Sequence, residues 1–158
     1  MNVIVRENFP LLDHALALRH QLMDMLTDED LTYRLPGSNL SLGELCREMG
    51  EVEQSYIDSF KTFKQDWSYR HDDPAVETSV AKLSAWLLAQ EEALKAVLES
   101  LSDEVITTQL VDRGDFKPPV IIQFHIHHEA LLIFYAKASI YLKALDKPFP
   151  DQWESWIG

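Results

Sequence analysis

The side chains most capable of chemistry in this sequence are histidines and carboxylates on two predicted helices. His125, His128 and Glu129 lie in one segment, and Glu48 lies in another. Successive residues of an α-helix are about 100° apart. With Gln123 on the outer side of its helix, His125 and His128 therefore point towards the interior. Imidazoles and carboxylates on facing helices are how helical bundles build interior metal sites.

The same helical placement separates the remaining polar residues of these two segments. His127 and Lys137 lie within about 40° of Gln123 and so fall on the predicted outer side. Glu48 has apolar neighbours one turn away in each direction, and Glu53 lies at the edge of the same apolar stripe. A carboxylate at the margin of an apolar face must be paired, bound to a metal or in contact with water.

Two interpretations of these residues remain open. In the first, Glu48 combines with His125 and with His128 or Glu129 into a three-ligand site for a divalent metal, with room for water or substrate. In the second, the histidines are surface or core residues, and Glu48 and His125 form only an ion pair. Cys46 has no sequence neighbour that would lower its pKa, which favours a structural thiol over a nucleophile.

Four segments with helical periodicity must position these groups. Ser41 and Glu44 have the spacing of a capping box, and Pro118–Pro119 can begin the last helix. These features predict one domain, residues 1–158, with an all-α, antiparallel four-helix-bundle fold. The predicted helices run from about Phe9 to Leu26, Leu42 to Phe63, Ser79 to Leu101 and Val120 to Leu145.

The apolar stripes of these helices predict one shared core. The last helix is apolar nearly all round, so we expect it to be the most buried. Its outer side carries Phe134 and Tyr141 and needs a cover, either the tryptophan-containing tail or a second subunit. Val105 to Val111 predicts a short strand or an extended loop. The predicted core residues are Leu18, Leu22, Leu45, Met49, Val52, Leu83, Leu87, Leu94, Leu132 and Leu142.

The composition excludes several classes of partner. The chain has 158 residues, with 26 acidic and 14 basic side chains and a formal net charge of −12. Such a charge repels polyanions, so we expect neither nucleic acid nor a membrane surface as a partner. The single cysteine cannot form an intramolecular disulfide, and no apolar stretch is long enough to span a bilayer. These features favour a cytoplasmic location.

The chain resembles the DinB-like (DinB/YfiT) superfamily of metalloenzymes in three stretches, LTDEDL, LPGSNLSLGELCREMGEVEQSY and HHEALLIFYAKASIYLKALDKPFP. The resemblance implies a four-helix bundle that commonly forms homodimers. It also implies a divalent metal held by three histidines, one from the second long helix and an H-x-x-x-H pair from the fourth. Relatives include S-transferases and isomerases that use bacillithiol, mycothiol or glutathione.

The resemblance assigns the metal-ligand positions to residues that depart from the superfamily pattern. The histidine of the second helix falls on Glu48, and the later acidic residue falls on Glu53. The H-x-x-x-H pair falls on His125 and Glu129. The H-R-G-Q string of the superfamily is absent and is replaced around Phe134 to Lys137.

These departures leave two functions open. Carboxylate ligands would favour a harder divalent metal, whereas loss of the site would leave the bundle without the superfamily's chemistry. We expect a DinB-like protein with a degenerate interior metal site that is not occupied as in the superfamily. The alternative is a divalent-metal-dependent transferase or hydrolase that acts on a small, thiol-linked substrate. The expected partners are a second copy of the chain and a small-molecule ligand.

Overall fold

The computed structural model describes residues 1–158 and contains no β-strand. About 70% of the chain is helical, which confirms the all-α prediction. A π-helical turn, Ile4–Asn8, precedes the first helix, and a 3-10 turn, Pro74–Glu77, precedes the fourth. The helices are α1 (Phe9–Met25), α2 (Asp28–Leu31), α3 (Leu42–Thr62), α4 (Val80–Ser100), α5 (Asp103–Thr108), α6 (Val120–Ala144) and α7 (Asp151–Trp156).

The four long helices, α1, α3, α4 and α6, surround a single hydrophobic core. α3 packs against α4 and α6, and α1 packs against the same two helices. Each long helix thus buries its apolar stripe against two neighbours. The core contains 33 buried residues drawn from every long helix and from the connecting segments. None of the helices is long and apolar enough to cross a bilayer.

The capping box at the start of α3 forms as the sequence predicts. The backbone N–H of Glu44 donates to Ser41 Oγ at 3.1 Å, and the backbone N–H of Ser41 donates to Glu44 Oε2 at 2.6 Å. These two bonds satisfy amides that the first turn of a helix leaves unpaired. α3 ends at Phe63, which adopts a left-handed conformation with φ of 56°. The helix start fixes the register of every later residue of α3.

The predicted inner and outer sides of α6 are wrong at several positions, although His128 is buried and Lys137 is exposed as predicted. Gln123 and His127 are buried, whereas His125 is exposed. Phe134 and Tyr141, predicted to lie on the outer side, are also buried. Because α6 is apolar nearly all round, its sequence carries almost no signal for which side faces the core. The large apolar residues that α6 exposes are Ile122, Ile133 and Ile140.

Most of the other packing predictions are confirmed. Of the ten predicted core residues, all are buried except Val52 and Leu132, which are partly buried and pack against the core. Trp153 covers one end of the core, and its indole N–H donates to the backbone carbonyl of Leu18 at 2.9 Å. The predicted strand or loop over Val105 to Val111 is wrong at its start, because α5 extends to Thr108.

The contrast between two leucines tests this packing. Leu45 is 4% exposed and Leu88 is 50% exposed. We expect Leu45→Ala to lower the free energy of unfolding by about 2–5 kcal/mol, because it leaves a cavity in the core. Leu88→Ala, the control, should change it by no more than about 0.5 kcal/mol. Chemical denaturation followed by circular dichroism measures both, and equal losses would contradict the packing described here.

Candidate functional site

A buried ion pair between α1 and α3 lies at the centre of the candidate site. Arg19 and Glu53 are each 1% exposed, and Arg19 Nη1 donates to Glu53 Oε2 at 2.6 Å. Arg19 Nη2 donates to the backbone carbonyl of Leu87 at 3.1 Å and lies 3.7 Å from Glu91 Oε2. The guanidinium therefore joins α1 to both α3 and α4, and its fork geometry suits these several acceptors.

The ion pair keeps Glu53 ionised. Burial alone would raise the pKa of this carboxyl, but the charge of the adjacent Arg19 overcomes the desolvation and lowers the pKa to about 2. Burial likewise raises the pKa of the Tyr135 hydroxyl, which stays protonated and donates to the backbone carbonyl of Ala15 at 2.7 Å. The site thus contains a fixed carboxylate and a neutral phenol.

His127 lies beside this ion pair with unused hydrogen-bonding capacity. Its side chain is 1% exposed, and its Nε2 is 3.8 Å from Glu53 Oε2. That distance permits electrostatic attraction but is too long for a hydrogen bond. Neither ring nitrogen of His127 has a hydrogen-bond partner, and Glu53 Oε1 also has none. Buried polar groups are seldom left unpaired, so these three atoms mark a place where a ligand or water can bind.

Glu53 and His127 are among the residues that line a cavity of about 200 Å³ between α3 and α6. Apart from Glu53 and His127, its wall is mostly apolar, with Glu48 and Lys137 as further charged residues. A larger groove of about 570 Å³ runs along the outside of α3, but its Arg47 is already paired with carboxylates and it does not reach His127. The cavity is lined by Glu48, Met49, Val52, Glu53, His127, Ala130, Leu131, Ile133, Phe134 and Lys137.

A second polar network lies near His127 and reaches its ring through Tyr56. Gln123, one turn before His127 on α6, donates to Ser59 Oγ at 2.9 Å and to Gln65 Oε1 at 2.6 Å. Arg113 donates to Gln123 Oε1 at 2.8 Å and lies 5.7 Å above the Tyr56 ring. The Tyr56 ring meets the His127 ring edge-on, with 5.1 Å between centroids. These contacts fix the imidazole in place.

The four residues predicted to hold a metal do not share one cleft. Glu48 is exposed at the cavity wall, and His125 and Glu129 are exposed on the outer side of α6. His128 is buried instead beside the backbone of Leu11, and burial lowers the pKa of its imidazole. The predicted convergence of these side chains is therefore wrong. Its physical cause is the rotation of α6 relative to the predicted orientation, which leaves positions 125 and 129 exposed while position 128 stays buried.

The residues at this cavity do not fit a metal site of the kind that the resemblance implies. No group of three or more His, Cys, Asp or Glu side chains is arranged to hold a metal ion. Glu53 is engaged by Arg19 at 2.6 Å. A guanidinium so close to the carboxylate would repel a divalent cation bound to the same group. The donor set instead suits a ligand that forms hydrogen bonds.

The sequence did not predict the place of three residues in the site. Glu53 was placed at the edge of the apolar stripe but was not assigned to the cavity, and His127 was assigned to the wrong side of α6. Arg19 received no role, although it lies four residues after Ala15 and three before Leu22, both of them buried. A charged residue at core spacing was the signal that could have found it.

Both the sequence and the structure of the chain are similar to those of known proteins. The sequence model described as the DinB superfamily matches residues 11–131, which include Arg19, Glu53 and His127. The chain belongs to the DinB superfamily. Its structure is similar to the crystal structure of a DinB-like protein from Bacillus subtilis, with a TM-score of 0.69 and 15% sequence identity. That similarity covers 89% of this chain and 96% of the Bacillus protein. No curated protein sequence matches this DinB-superfamily chain significantly.

Removal of one partner tests the buried ion pair. Arg19→Met should lower the free energy of unfolding by about 3–5 kcal/mol, because Glu53 is left buried and unpaired. The double variant Arg19→Met/Glu53→Met should lose less, since it buries no unpaired charge. The control is Arg70→Met, because Arg70 is exposed and lies 3.9 Å from Glu51; its loss should be below about 1 kcal/mol. Denaturant titration measures all three variants, and a double variant that loses as much as Arg19→Met or more would contradict the pairing.

Proposed function

We propose that this DinB-superfamily protein binds a small, partly apolar ligand in the cavity between α3 and α6. His127 and Glu53 form the polar base of the cavity and recognise a hydrogen-bonding group of the ligand. The superfamily's metal site is degenerate in this chain and is not occupied as in its three-histidine relatives. Recognition then depends on the chain's own side chains.

The proposal rests on buried groups without hydrogen-bond partners, namely the ring nitrogens of His127 and Glu53 Oε1. Both side chains are 1% exposed, and both residues line the same cavity. Leaving such groups without partners costs about 1–3 kcal/mol each. A ligand with a hydroxyl or N–H group recovers that cost, because Glu53 Oε1 accepts a hydrogen bond and a neutral imidazole both donates and accepts.

The size of the cavity limits the ligand. An engineered apolar cavity of about 150 Å³ in another protein binds benzene. The cavity of about 200 Å³ therefore accommodates a single six-membered ring with a small substituent. Most of its wall is hydrophobic, as is usual for a ligand site with a few polar groups that fix orientation.

The polar end of the cavity, which His127 and Glu53 form, can also support proton transfer. Arg19 holds Glu53 ionised, and the Glu53 carboxylate lies 3.8 Å from His127 Nε2, which has no hydrogen-bond partner. His127 can therefore accept a proton from a ligand hydroxyl or N–H and return it, which is the role of a general acid–base. This arrangement supports ligand binding in any case. It supports catalysis only for a ligand that places a reactive group next to His127.

The alternative is a divalent-metal-dependent transferase or hydrolase. Glu48, Glu53 and His127 line one cavity, and their side chains are of the types that bind divalent metals. The ion pair between Arg19 and Glu53 is the observation against it.

We expect protein purified without an affinity tag to contain less than about 0.1 metal ion per chain by elemental analysis, and to take up no Zn, Ni, Mn or Fe. Stoichiometric metal that is lost in Glu53→Gln would support the alternative.

Fragment binding tests the proposed cavity. We expect the wild-type protein to bind phenol about tenfold more tightly than toluene, because only phenol hydrogen-bonds to the base, a difference of about 1.4 kcal/mol. His127→Leu should remove most of this preference. His125→Leu, the matched control, changes an exposed histidine of the same helix and should keep it. Titration followed by NMR measures the affinities, and an equal preference in both variants would contradict the assignment of His127.

We also propose that the protein is a homodimer. Ile122, Ile133 and Ile140 expose a row of apolar surface along α6 that a second subunit would cover. Light scattering at micromolar concentration should give twice the chain mass of 18.2 kDa, and Ile122→Glu should shift it towards the monomer. Leu110→Glu changes an exposed leucine outside α6 and serves as the control. A wild-type monomer would contradict the proposal.

A further inference from the structure

Two residues of opposite charge flank the mouth of the cavity. Glu48 on α3 and Lys137 on α6 both line the cavity that contains His127. Both also line an adjoining groove of about 380 Å³, which extends towards Leu40 and Ile140. The two charged side chains therefore lie where the cavity opens into the groove.

Neither of these charges has a partner in the chain. Most basic side chains of this acidic protein lie within 4.0 Å of a carboxylate, as Lys95 and Lys147 do. Lys137 and Glu48 are exposed, and neither forms an ion pair or a side-chain hydrogen bond. The mouth thus presents one free positive charge and one free negative charge.

We propose that the ligand of this cavity is an aromatic zwitterion of the α-amino-acid type, whose ring carries a hydroxyl or N–H group. Its carboxylate pairs with Lys137 and its ammonium with Glu48. Its ring enters the cavity, and the ring substituent hydrogen-bonds to His127 and Glu53 Oε1. This inference rests on the proposed function, since it requires the same cavity to bind a ligand.

The charges at the two ends of the cavity favour this class of ligand. Arg19 neutralises Glu53 at the base, so the buried end suits a neutral hydrogen-bonding group and not an ion. The negative field of the whole chain repels an anion, whereas a zwitterion has no net charge. Opposite charges at the mouth match a ligand that carries both an ammonium and a carboxylate.

Glu48 lies at the exposed mouth of the cavity and Glu53 at its buried end. Glu48 precedes Glu53 by five residues, which is about 7.5 Å along the axis of α3 and about 140° around it, and both residues line the cavity. The ring of the ligand would bridge the axial part of this separation. On α6, Lys137 lies ten residues after His127 and lines both the cavity and the adjoining groove. Its ammonium group is therefore available to a ligand at the mouth.

Calorimetric titration of the full chain with four related probes tests the inference. The probes are tyrosine, tyramine, 3-(4-hydroxyphenyl)propionate and phenol. Tyramine lacks the carboxylate, the propionate lacks the ammonium, and phenol lacks both. We expect tyrosine to bind about threefold more tightly than tyramine or the propionate and about tenfold more tightly than phenol, since each ion pair between exposed groups adds a modest affinity.

Two variants assign the charged groups. Lys137→Met should weaken tyrosine to the level of tyramine and leave tyramine unchanged. Glu48→Gln should weaken tyrosine to the level of the propionate and leave the propionate unchanged. Lys64→Met is the matched control, because Lys64 is an exposed lysine without an ion pair away from the cavity. It should bind all four probes as the wild type does.

The outcomes separate this inference from the proposed function. If phenol binds in a His127-dependent way but tyrosine binds no more tightly, the zwitterion is wrong and the cavity stands. The inference is equally overturned if tyrosine binds tightly but neither Lys137→Met nor Glu48→Gln weakens it. If none of the four probes binds at millimolar concentration, both the inference and the proposed function fail.

Discussion

The buried pair of Arg19 and Glu53 is the interaction on which the candidate site depends. Two opposite charges lie 2.6 Å apart at 1% exposure, and removing both from water costs several kcal/mol per ion. Arg19 offsets that cost with a bond to the Leu87 carbonyl and the nearby charge of Glu91. Such pairs are weak sources of stability, since apolar residues of similar size often serve equally well. A pair at the wall of a cavity is therefore better explained by what it does to that cavity.

The ion pair sets the chemistry of the cavity by occupying one carboxylate oxygen and leaving the other. Arg19 binds Glu53 Oε2, and Oε1 has no hydrogen-bond partner. The same bond keeps the carboxylate charged, and the charge acts on His127 at 3.8 Å. The His127 ring also meets the ring of Tyr56, which lies below Arg113. The imidazole thus contacts Tyr56 and lies near Glu53, while both its nitrogens stay free.

Local signals in the sequence predicted the frame of this site but not its polar base. Ser41 and Glu44 fixed the start of α3 because capping boxes depend on short-range spacing. The side of α6 that faces the core depends on tertiary packing, since a helix that is apolar all round has no preferred face. That single choice decided whether His125 or His127 entered the core. Arg19 was missed for a related reason: its partner Glu53 is 34 residues away, beyond any local pattern.

Membership in the DinB superfamily fixes the fold of this chain more firmly than its chemistry, because one fold supports many unrelated sites. A metal site concentrates positive charge in the interior and surrounds it with donors. Here the interior base is neutral overall, with Arg19 and Glu53 cancelling each other, and the unpaired charges of Glu48 and Lys137 lie at the mouth. This distribution of charge favours a ligand that is charged at the end lying in the mouth and neutral at the end buried in the cavity. It follows that specificity is divided between the two ends, with hydrogen bonds at the base selecting the ring substituent and ion pairs at the mouth selecting the charged group.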